Sequence, residues 1–353
     1  MRNIFENLEQ IIGEINKYSN VLIITSPGNK NRGYIDEIID KENKLIFSTE
    51  LVEGYPTLEN IISLTKKYNN KNFDLIISLG GGSVIDTSKL LSIAIHKDNK
   101  INIKNYEEFV NFFNNKILSK VFHISIPTTS GSGAESTCFT TIWNFDQKKK
   151  ISIEHGQIIP DQVYLTSKFL LTLNFDNTLF PGLDAVCHAF DSVLNKNSTI
   201  KSKNLAIEAL KIFNLRFNKL LLSLDNELLR SEIHNASNLA GQSINITKTS
   251  ITHALSYPLT MNYGVPHGLA CAFFLSEVYK KYKENLKNPE EILVLDQTAE
   301  LIDNLNLHKY TKDYFDEIQL DLYRDKSLNS RIDNFFVDLN QNDILEIIKK
   351  VNS

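Results

Sequence analysis

Mainly apolar runs separated by turn residues organise the first half of the chain. Three short runs end at turn-forming residues: Val21 to Thr25, Leu75 to Leu79 and Val121 to Ile126. Runs of this length, with few polar positions, predict strands buried on both faces of a parallel sheet. Segments with a helical period lie between them. The first half therefore predicts a doubly wound parallel sheet, the fold class α/β.

The pattern places further elements around these strands. It predicts a strand at Lys44 to Ser48, helices at Tyr34 to Asp40, Pro56 to Tyr68 (with Thr57 as N-cap) and Val84 to Ile95, and a hairpin of Thr137 to Trp143 with Lys150 to Ile153. The first residues, Met1 to Tyr18, alternate apolar and acidic positions with a helical period. This indicates an amphipathic helix and not a secretory signal.

Helical periods replace the strand pattern in the second half. They predict helices at Lys201 to Leu222, Glu227 to Ala240, Pro289 to Leu305, with Asn288 as a capping residue, and Asp343 to Val351. We therefore expect an α/β domain over residues 1–162 and an all-α domain over residues 163–353, with a ligand in the cleft between them.

Length and charge limit the function classes. A chain of 353 residues favours two domains, and a net charge of −4 gives no electrostatic case for nucleic acid or an anionic membrane. We expect a cytoplasmic protein. The three cysteines, Cys138, Cys187 and Cys271, form no CxxC pair and predict no disulfide framework. Cys187 is interpreted as a buried thiol.

Four residues of the second half form a candidate metal site. Asp184 and His188 are four residues apart, so one helix face presents both side chains. His253 and His267 follow among small and turn-forming neighbours. Three imidazoles and one carboxylate suit Fe(II), Zn(II), Co(II) or Ni(II) better than Mg(II) or Ca(II). The alternative for any one of the three histidines is that it is a hydrogen-bonded residue of the core.

A candidate nucleotide site lies where the third predicted strand meets a helix. Gly80-Gly81-Gly82-Ser83 would let a pyrophosphate approach the backbone amides of the helix start. A second loop, Thr128 to Gly133, could bind the other side of the ligand, and Lys150 follows on the hairpin. Lys89 is expected to be solvated or to face the ribose. The alternative is a tight turn without a ligand, and no G-x-G-x-x-G follows the first strand.

These motifs resemble the iron-containing alcohol dehydrogenase family. The likeness rests on the glycine motif with Asp86, on Pro127 to Glu135, on Asp184 to Ala189, and on His253 with Pro266-His267-Gly268. It implies an N-terminal dinucleotide domain, a helical metal-binding domain and a homodimer. It also implies that Asp184, His188, His253 and His267 bind the metal, Fe(II) or Zn(II), and that NAD(P)H is bound by Gly81, Gly82, Ser83, Asp86, Thr128, Thr129, Ser132 and Lys150.

Three departures from the family pattern bear on cofactor and chemistry. The predicted helix Met1 to Tyr18 replaces the first strand common in the family. Ser26, a candidate cofactor residue, stands where NAD-preferring members often have Asp. It carries no charge that would repel a 2′-phosphate, so NADPH is a possible cofactor, and Lys30 or Arg32 could bind its 2′-phosphate. Tyr257 occupies the position where many members have a histidine.

The expected reaction is hydride transfer between a nicotinamide and the carbonyl carbon of a small aldehyde, with the metal as Lewis acid. Tyr257 or a water relay would supply the proton. The segment from Gly241 to Thr260 resembles a branch with phosphonoacetaldehyde reductases. This suggests reduction of phosphonoacetaldehyde to 2-hydroxyethylphosphonate, with Lys248 near the anion or, alternatively, at the surface. The other hypotheses are a dehydroquinate synthase-like lyase using NAD transiently and a catalytically silent nucleotide-binding protein.

Overall fold

The computed structural model describes residues 3–5, 8–39, 46–99, 106–114, 118–144, 149–324 and 330–352. The chain forms two compact units. The first comprises Met1–Thr129 and Ala134–Leu170. The second comprises Ser130–Gly133 and Leu171–Ser353. Among the described residues, none of the helices is both long and apolar enough to cross a bilayer.

A parallel six-stranded sheet forms the centre of the first unit. Its strands are β1 (Asn3–Phe5), β2 (Asn20–Thr25), β3 (Ile46–Leu51), β4 (Leu75–Gly80), β5 (Phe122–Pro127) and, after the hairpin of β6 (Phe139–Asn144) and β7 (Lys149–Glu154), β8 (Gln162–Tyr164). Their spatial order is β1-β8-β5-β4-β2-β3, and all neighbouring pairs are parallel. The hairpin pairs antiparallel, as predicted.

Helices cover both faces of this sheet. They are α1 (Leu8–Ile15), α2 (Pro27–Asn31), α3 (Tyr34–Ile38), α4 (Leu58–Tyr68), α5 (Gly82–Ala94) and α6 (Tyr106–Phe113). Side chains alternate along each strand: Val21 and Ile23 pack in one apolar cluster with Ile11, whereas Leu22 and Ile24 pack in another with Leu91. Burial on both faces explains the nearly continuous apolar runs and confirms the doubly wound α/β fold.

Several boundaries differ from the predictions. A strand, β1, precedes the first helix and pairs with β8, so the helix predicted from Met1 is wrong at its start. Three residues are too few to show a period of two, which is why the pattern missed this strand. The helix predicted at Tyr34 to Asp40 ends at Ile38, and α2 precedes it; Asp40 lies outside the described residues. The strand predicted at Lys44 to Ser48 is β3, which begins at Ile46 and continues to Leu51; Lys44 lies outside the described residues.

Two helix starts agree with the predicted caps. Thr57 Oγ1 accepts a hydrogen bond from Asn60 N at 3.2 Å before α4. Asn288 Oδ1 accepts from Glu290 N at 3.0 Å before Pro289. In both cases the side chain satisfies an amide that has no partner within the helix.

Helices account for the regular structure described in Leu171–Ser353. They are α7 (Asp176–Val193), α8 (Ile200–Leu222), α9 (Glu227–Thr247), α10 (Ile251–Tyr263), α11 (His267–Ala272), α12 (Leu275–Tyr282), α13 (Pro289–Leu305), α14 (His308–Thr311) and α15 (Gln341–Val351). α9 extends seven residues beyond the predicted end at Ala240. α7 is central: Leu183, Val186 and Phe190 are fully buried, and α8, α9 and α11 pack around it.

Candidate functional site

The buried helix α7 presents two candidate ligands on one face. Asp184 and His188 lie one turn apart, and their side chains are 12% and 7% exposed. His188 Nε2 lies 3.5 Å from Asp184 Oδ1. Because neighbouring helices cover α7, these polar groups point into the packed interior, where water solvates them poorly.

His253, on α10, is fixed from behind by Asp191. Asp191 is fully buried on α7, and its Oδ2 lies 2.8 Å from His253 Nδ1. The same carboxylate accepts hydrogen bonds from the backbone N–H groups of Ser250 and Thr252 and from the Thr252 hydroxyl. With Nδ1 donating to Asp191, the Nε2 lone pair of His253 faces Asp184.

Sequence reasoning missed Asp191, although a signal was present. It lies three residues after His188 and seven after Asp184, so all three share one face of α7. A carboxylate that orients a ligand histidine is a usual component of metal sites in proteins.

Gly268 explains how His267 reaches the same place. A Cβ atom at Gly268 would collide with the Phe180 carbonyl oxygen and would lie 2.9 Å from Asp184 N. The absence of a side chain lets the first turn of α11 lie against the backbone of α7. His267, the preceding residue, is thereby placed with Nε2 3.8 Å from Asp184 Oδ1.

The Nε2 atoms of the three candidate histidines all lie near the Asp184 carboxylate. His253 Nε2 lies 3.3 Å from Asp184 Oδ1, and its ring stacks on that of His188 with centroids 4.7 Å apart. Two donor atoms bound to one ion at about 2.1 Å and a tetrahedral angle lie about 3.4 Å apart. The observed separations of 3.3, 3.5 and 3.8 Å from Asp184 Oδ1 are each close to this value. Donor atoms of Asp184, His253 and His267 also lie within 4.8 Å of one another, which allows one ion to contact all three. A nitrogen-rich donor set with one carboxylate suits zinc or ferrous iron.

Electrostatics couples these groups. Burial opposes ionisation of Asp184, but the imidazoles of His188, His253 and His267 hold the pKa of its carboxyl far below its usual range. Burial also opposes protonation of His253, but Cys271, Asp184 and Asp191 raise its pKa well above the ordinary value. Protons on these imidazoles can therefore balance the ionised carboxylate, and a metal ion bound here would replace them.

The glycine motif lies where β4 meets α5. Gly81 is the N-cap residue of α5 and, having no side chain, leaves the first-turn amides without a side-chain cap; Gly81, Gly82 and Ser83 are partly exposed. Thr128 N donates to Gly80 O at 3.1 Å. A Cβ at Gly81 would lie 3.1 Å from Thr129 Oγ1. The Thr129 hydroxyl therefore lies beside the start of α5, where first-turn amides favour an anionic phosphate.

Asn29 was also missed by sequence reasoning. Its buried amide donates to Leu79 O at 3.0 Å and to Thr128 Oγ1 at 3.3 Å, and it joins the ends of three strands. Ser26 is the N-cap of α2, where its Oγ accepts from Asn29 N at 3.2 Å. An asparagine after a strand resembles an ordinary turn residue, so its residue type and position carry no distinct signal for this role.

The remaining candidate cofactor residues lie in different surroundings. Asp86 Oδ2 accepts from Thr141 N at 2.9 Å. Lys89, expected to be solvated or to face the ribose, is instead fully buried: its Nζ donates to Thr137 Oγ1 at 3.1 Å and to Phe139 O at 2.8 Å, so that expectation is wrong. Ser132 belongs to the second unit. Lys150 lies on β7, and its side chain is outside the described part of the structure.

Two family models match the chain in order. The model of the iron-containing alcohol dehydrogenase covers residues 2–167, and that of the C-terminal part of the Fe-containing alcohol dehydrogenase family covers residues 178–311. The chain belongs to the iron-containing alcohol dehydrogenase family. The family explains the combination of a doubly wound first unit and a helical second unit.

Relatives within the iron-containing alcohol dehydrogenases are distant. A 4-hydroxybutyrate dehydrogenase from Clostridium kluyveri is 26% identical over 330 residues, 87% of this chain and 86% of its own. A phosphonoacetaldehyde reductase from Streptomyces viridochromogenes is 23% identical over 270 residues, 76% of this chain and 68% of its own. The crystal structure of an iron-containing alcohol dehydrogenase from Thermotoga maritima matches with a TM-score of 0.81 and 26% identity, covering 99% of this chain and 97% of its own.

Three further side chains of this family member lie in the second unit. Tyr257 is half-buried, one turn after His253 on α10. Lys248 is exposed after α9, with φ 64° and ψ 172°, a conformation that is favourable only for glycine. Arg331 was missed by sequence reasoning. Burial lowers the pKa of its guanidinium, whereas Cys271, Asp191 and Asp184 are close enough to raise it.

Proposed function

We propose that this protein reduces a small aldehyde that carries an anionic group, with NAD(P)H as hydride donor and a ferrous or zinc ion held by Asp184, His188, His253 and His267. The observation that carries this proposal is the position of the three imidazole Nε2 atoms, 3.3 to 3.8 Å from Asp184 Oδ1 in a largely buried cluster. Phosphonoacetaldehyde, reduced to 2-hydroxyethylphosphonate, is one candidate substrate.

The protein side chains supply position and a dry environment. When bound, the metal would supply Lewis acidity and the nicotinamide would supply the hydride. Asp191 keeps Nδ1 of His253 protonated, so that Nε2 stays available as a ligand. His267 is the most exposed of the three histidines, at 23%, and it marks the side from which a substrate reaches the cluster. Tyr257, or a water beside it, would deliver the proton to the product oxygen.

Two observations support an anionic substrate. The names of the relatives from Clostridium kluyveri and Streptomyces viridochromogenes denote compounds with a carboxylate and a phosphonate. Arg331 is partly buried and interacts electrostatically with Asp184 and Asp191. A guanidinium in a poorly solvated position binds such anions well, so Arg331 is a stronger candidate than the exposed Lys248 for the anion contact.

The cofactor proposal rests on the first unit. The amides of Gly81, Gly82 and Ser83 would bind the pyrophosphate, with Thr128 and Thr129 beside them. Ser26 places no carboxylate at the end of β2, and Lys30 and Arg32 are exposed on the α2 segment that follows. These features support use of NADPH as well as NADH.

The deciding experiment measures NADH and NADPH consumption with phosphonoacetaldehyde, succinic semialdehyde and neutral butanal after iron or zinc loading. We expect turnover with the anionic aldehydes, and His267→Ala should lose bound metal and turnover together. His96→Ala is the matched control, since its imidazole belongs to the first unit and should leave both unchanged. Full activity in metal-free His267→Ala protein would refute the proposal.

The anion contact has its own test, the ratio of kcat/KM for anionic to neutral aldehydes. Arg331→Gln should lower this ratio at least tenfold, because a hydrogen bond to a charged group is worth about 1.5–3 kcal/mol. Lys248→Gln should lower it less. A ratio that falls only in Lys248→Gln would transfer the role to Lys248.

A further inference from the structure

A cysteine lies within the candidate metal cluster. Cys271 is one helical turn after His267 on α11, so both side chains project from the same face. Its Sγ lies 3.9 Å from Nδ1 and 3.9 Å from Nε2 of His267, and the residue is fully buried. The thiol is therefore directed at the cluster and away from solvent.

The Cys271 sulfur lies within a few tenths of an ångström of the separation from His267 that two ligands of one ion would have. Among the described residues, one donor atom each of Asp184, His253, His267 and Cys271 lie within 4.8 Å of one another. A sulfur at about 2.3 Å and a nitrogen at about 2.1 Å from one ion, at the tetrahedral angle, are about 3.6 Å apart. The observed 3.9 Å exceeds this by a few tenths of an ångström, which a small side-chain rotation removes.

We propose that Cys271 supplies a sulfur ligand to the metal ion bound by Asp184, His253 and His267. His188 remains available as a further nitrogen donor, since its Nε2 is 3.5 Å from Asp184 Oδ1. The site then offers five donors, enough for a tetrahedral ion that expands its coordination during the reaction.

A thiolate changes which metal the site prefers. Sulfur is a soft ligand that favours zinc, whereas nitrogen and oxygen donors alone discriminate less between zinc and ferrous iron. The proposal therefore assigns the resident ion of this chain as zinc. It rests on the proposed function, because both require an ion at this cluster.

The test uses cobalt(II) as a spectroscopic probe in the full-length protein. Cobalt-loaded wild type should show a thiolate-to-cobalt charge-transfer band in the near ultraviolet, and Cys271→Ser should lose it while still binding cobalt. Cys187→Ser is the matched control: Cys187 is equally buried and lies between Asp184 and His188 in sequence, but is absent from the group of converging donors. This control should keep the band.

A second measurement needs no variant. X-ray absorption of the zinc-loaded wild type should show one sulfur at about 2.3 Å from the ion. A loaded wild type without the band or without this sulfur, or a band that persists in Cys271→Ser, overturns the inference. If cobalt binds and aldehyde is reduced but no sulfur is detected, only the sulfur ligand fails. If wild type binds neither zinc nor cobalt at this cluster, the proposed function fails with it.

Discussion

Asp191→Asn tests whether the carboxylate behind His253 prepares the metal site. Asp191 Oδ2 accepts from Ser250 N and lies 2.8 Å from His253 Nδ1, while Oδ1 accepts from the N–H and the hydroxyl of Thr252. Asparagine keeps the shape but turns one acceptor into a donor. Because Asp191 is fully buried, water cannot replace a lost partner.

The structure decides which orientation of the amide costs less. The Thr252 hydroxyl can rotate and accept, so the new NH₂ group should replace Oδ1, leaving Thr252 N without an acceptor. One buried unsatisfied amide, together with the loss of charge at the other contacts, should lower the free energy of unfolding by about 2–4 kcal/mol. His253 keeps a hydrogen bond but loses the negative charge behind it. Metal affinity should therefore fall about 10–100-fold.

The assay separates these two effects. Chelator competition measures metal affinity, and urea unfolding of the chelated protein measures stability. Asp161→Asn is the control, because Asp161 also has hydrogen-bonded partners, His123 N at 2.8 Å and Lys120 Nζ at 2.8 Å, but belongs to the first unit. It should change stability without changing metal affinity. If Asp191→Asn loses stability but binds metal as tightly as wild type, Asp191 serves only to hold the start of α10, and our reasoning is wrong.

Four further predictions follow from single residues. Burial lowers the pKa of His234 to about 4, so below its ordinary pKa the unfolded chain takes up a proton that the folded chain excludes. The free energy of unfolding should therefore reach its full value above about pH 6.5 and fall by about 3 kcal/mol as the pH drops to about 4. Urea titrations of His234→Gln should lack this loss. Gly268→Ala should lower the free energy of unfolding by at least about 3 kcal/mol and should lose bound metal, because the new Cβ would meet the backbone of α7. Gly13→Ala is the control and should not destabilise the protein, because the space around Gly13 is open. Equal melting curves for the two variants would contradict this. Lys248→Gly should raise the free energy of unfolding by about 1 kcal/mol and Lys248→Ala should not, since only glycine relieves the strain at φ 64°. Equal denaturant midpoints for the two variants would contradict this. Arg32→Ala should raise the KM for NADPH about tenfold and leave the KM for NADH unchanged, and an equal rise for both would show that Arg32 does not contact the 2′-phosphate.

Local patterns predicted the elements because burial repeats along each of them. The apolar runs of β2, β4 and β5 reflect a sheet covered on both faces, and the spacing of Asp184 and His188 reflects the helical period. The sequence also predicted the kind of metal, because a site of three imidazoles and one carboxylate favours a transition metal wherever these groups meet.

The sequence pattern therefore predicted most of the strands and helices in chain order, the glycine turn at Gly81 and four candidate metal donors. Three features became visible only in the folded chain: Asp191 orients His253, Cys271 lies in the cluster, and Lys89 is buried against the hairpin. Each of these joins side chains on different elements; Asp191 and His253, for example, are 62 residues apart. Periodicity records which face of an element is buried, but packing between elements selects the partner it is buried against.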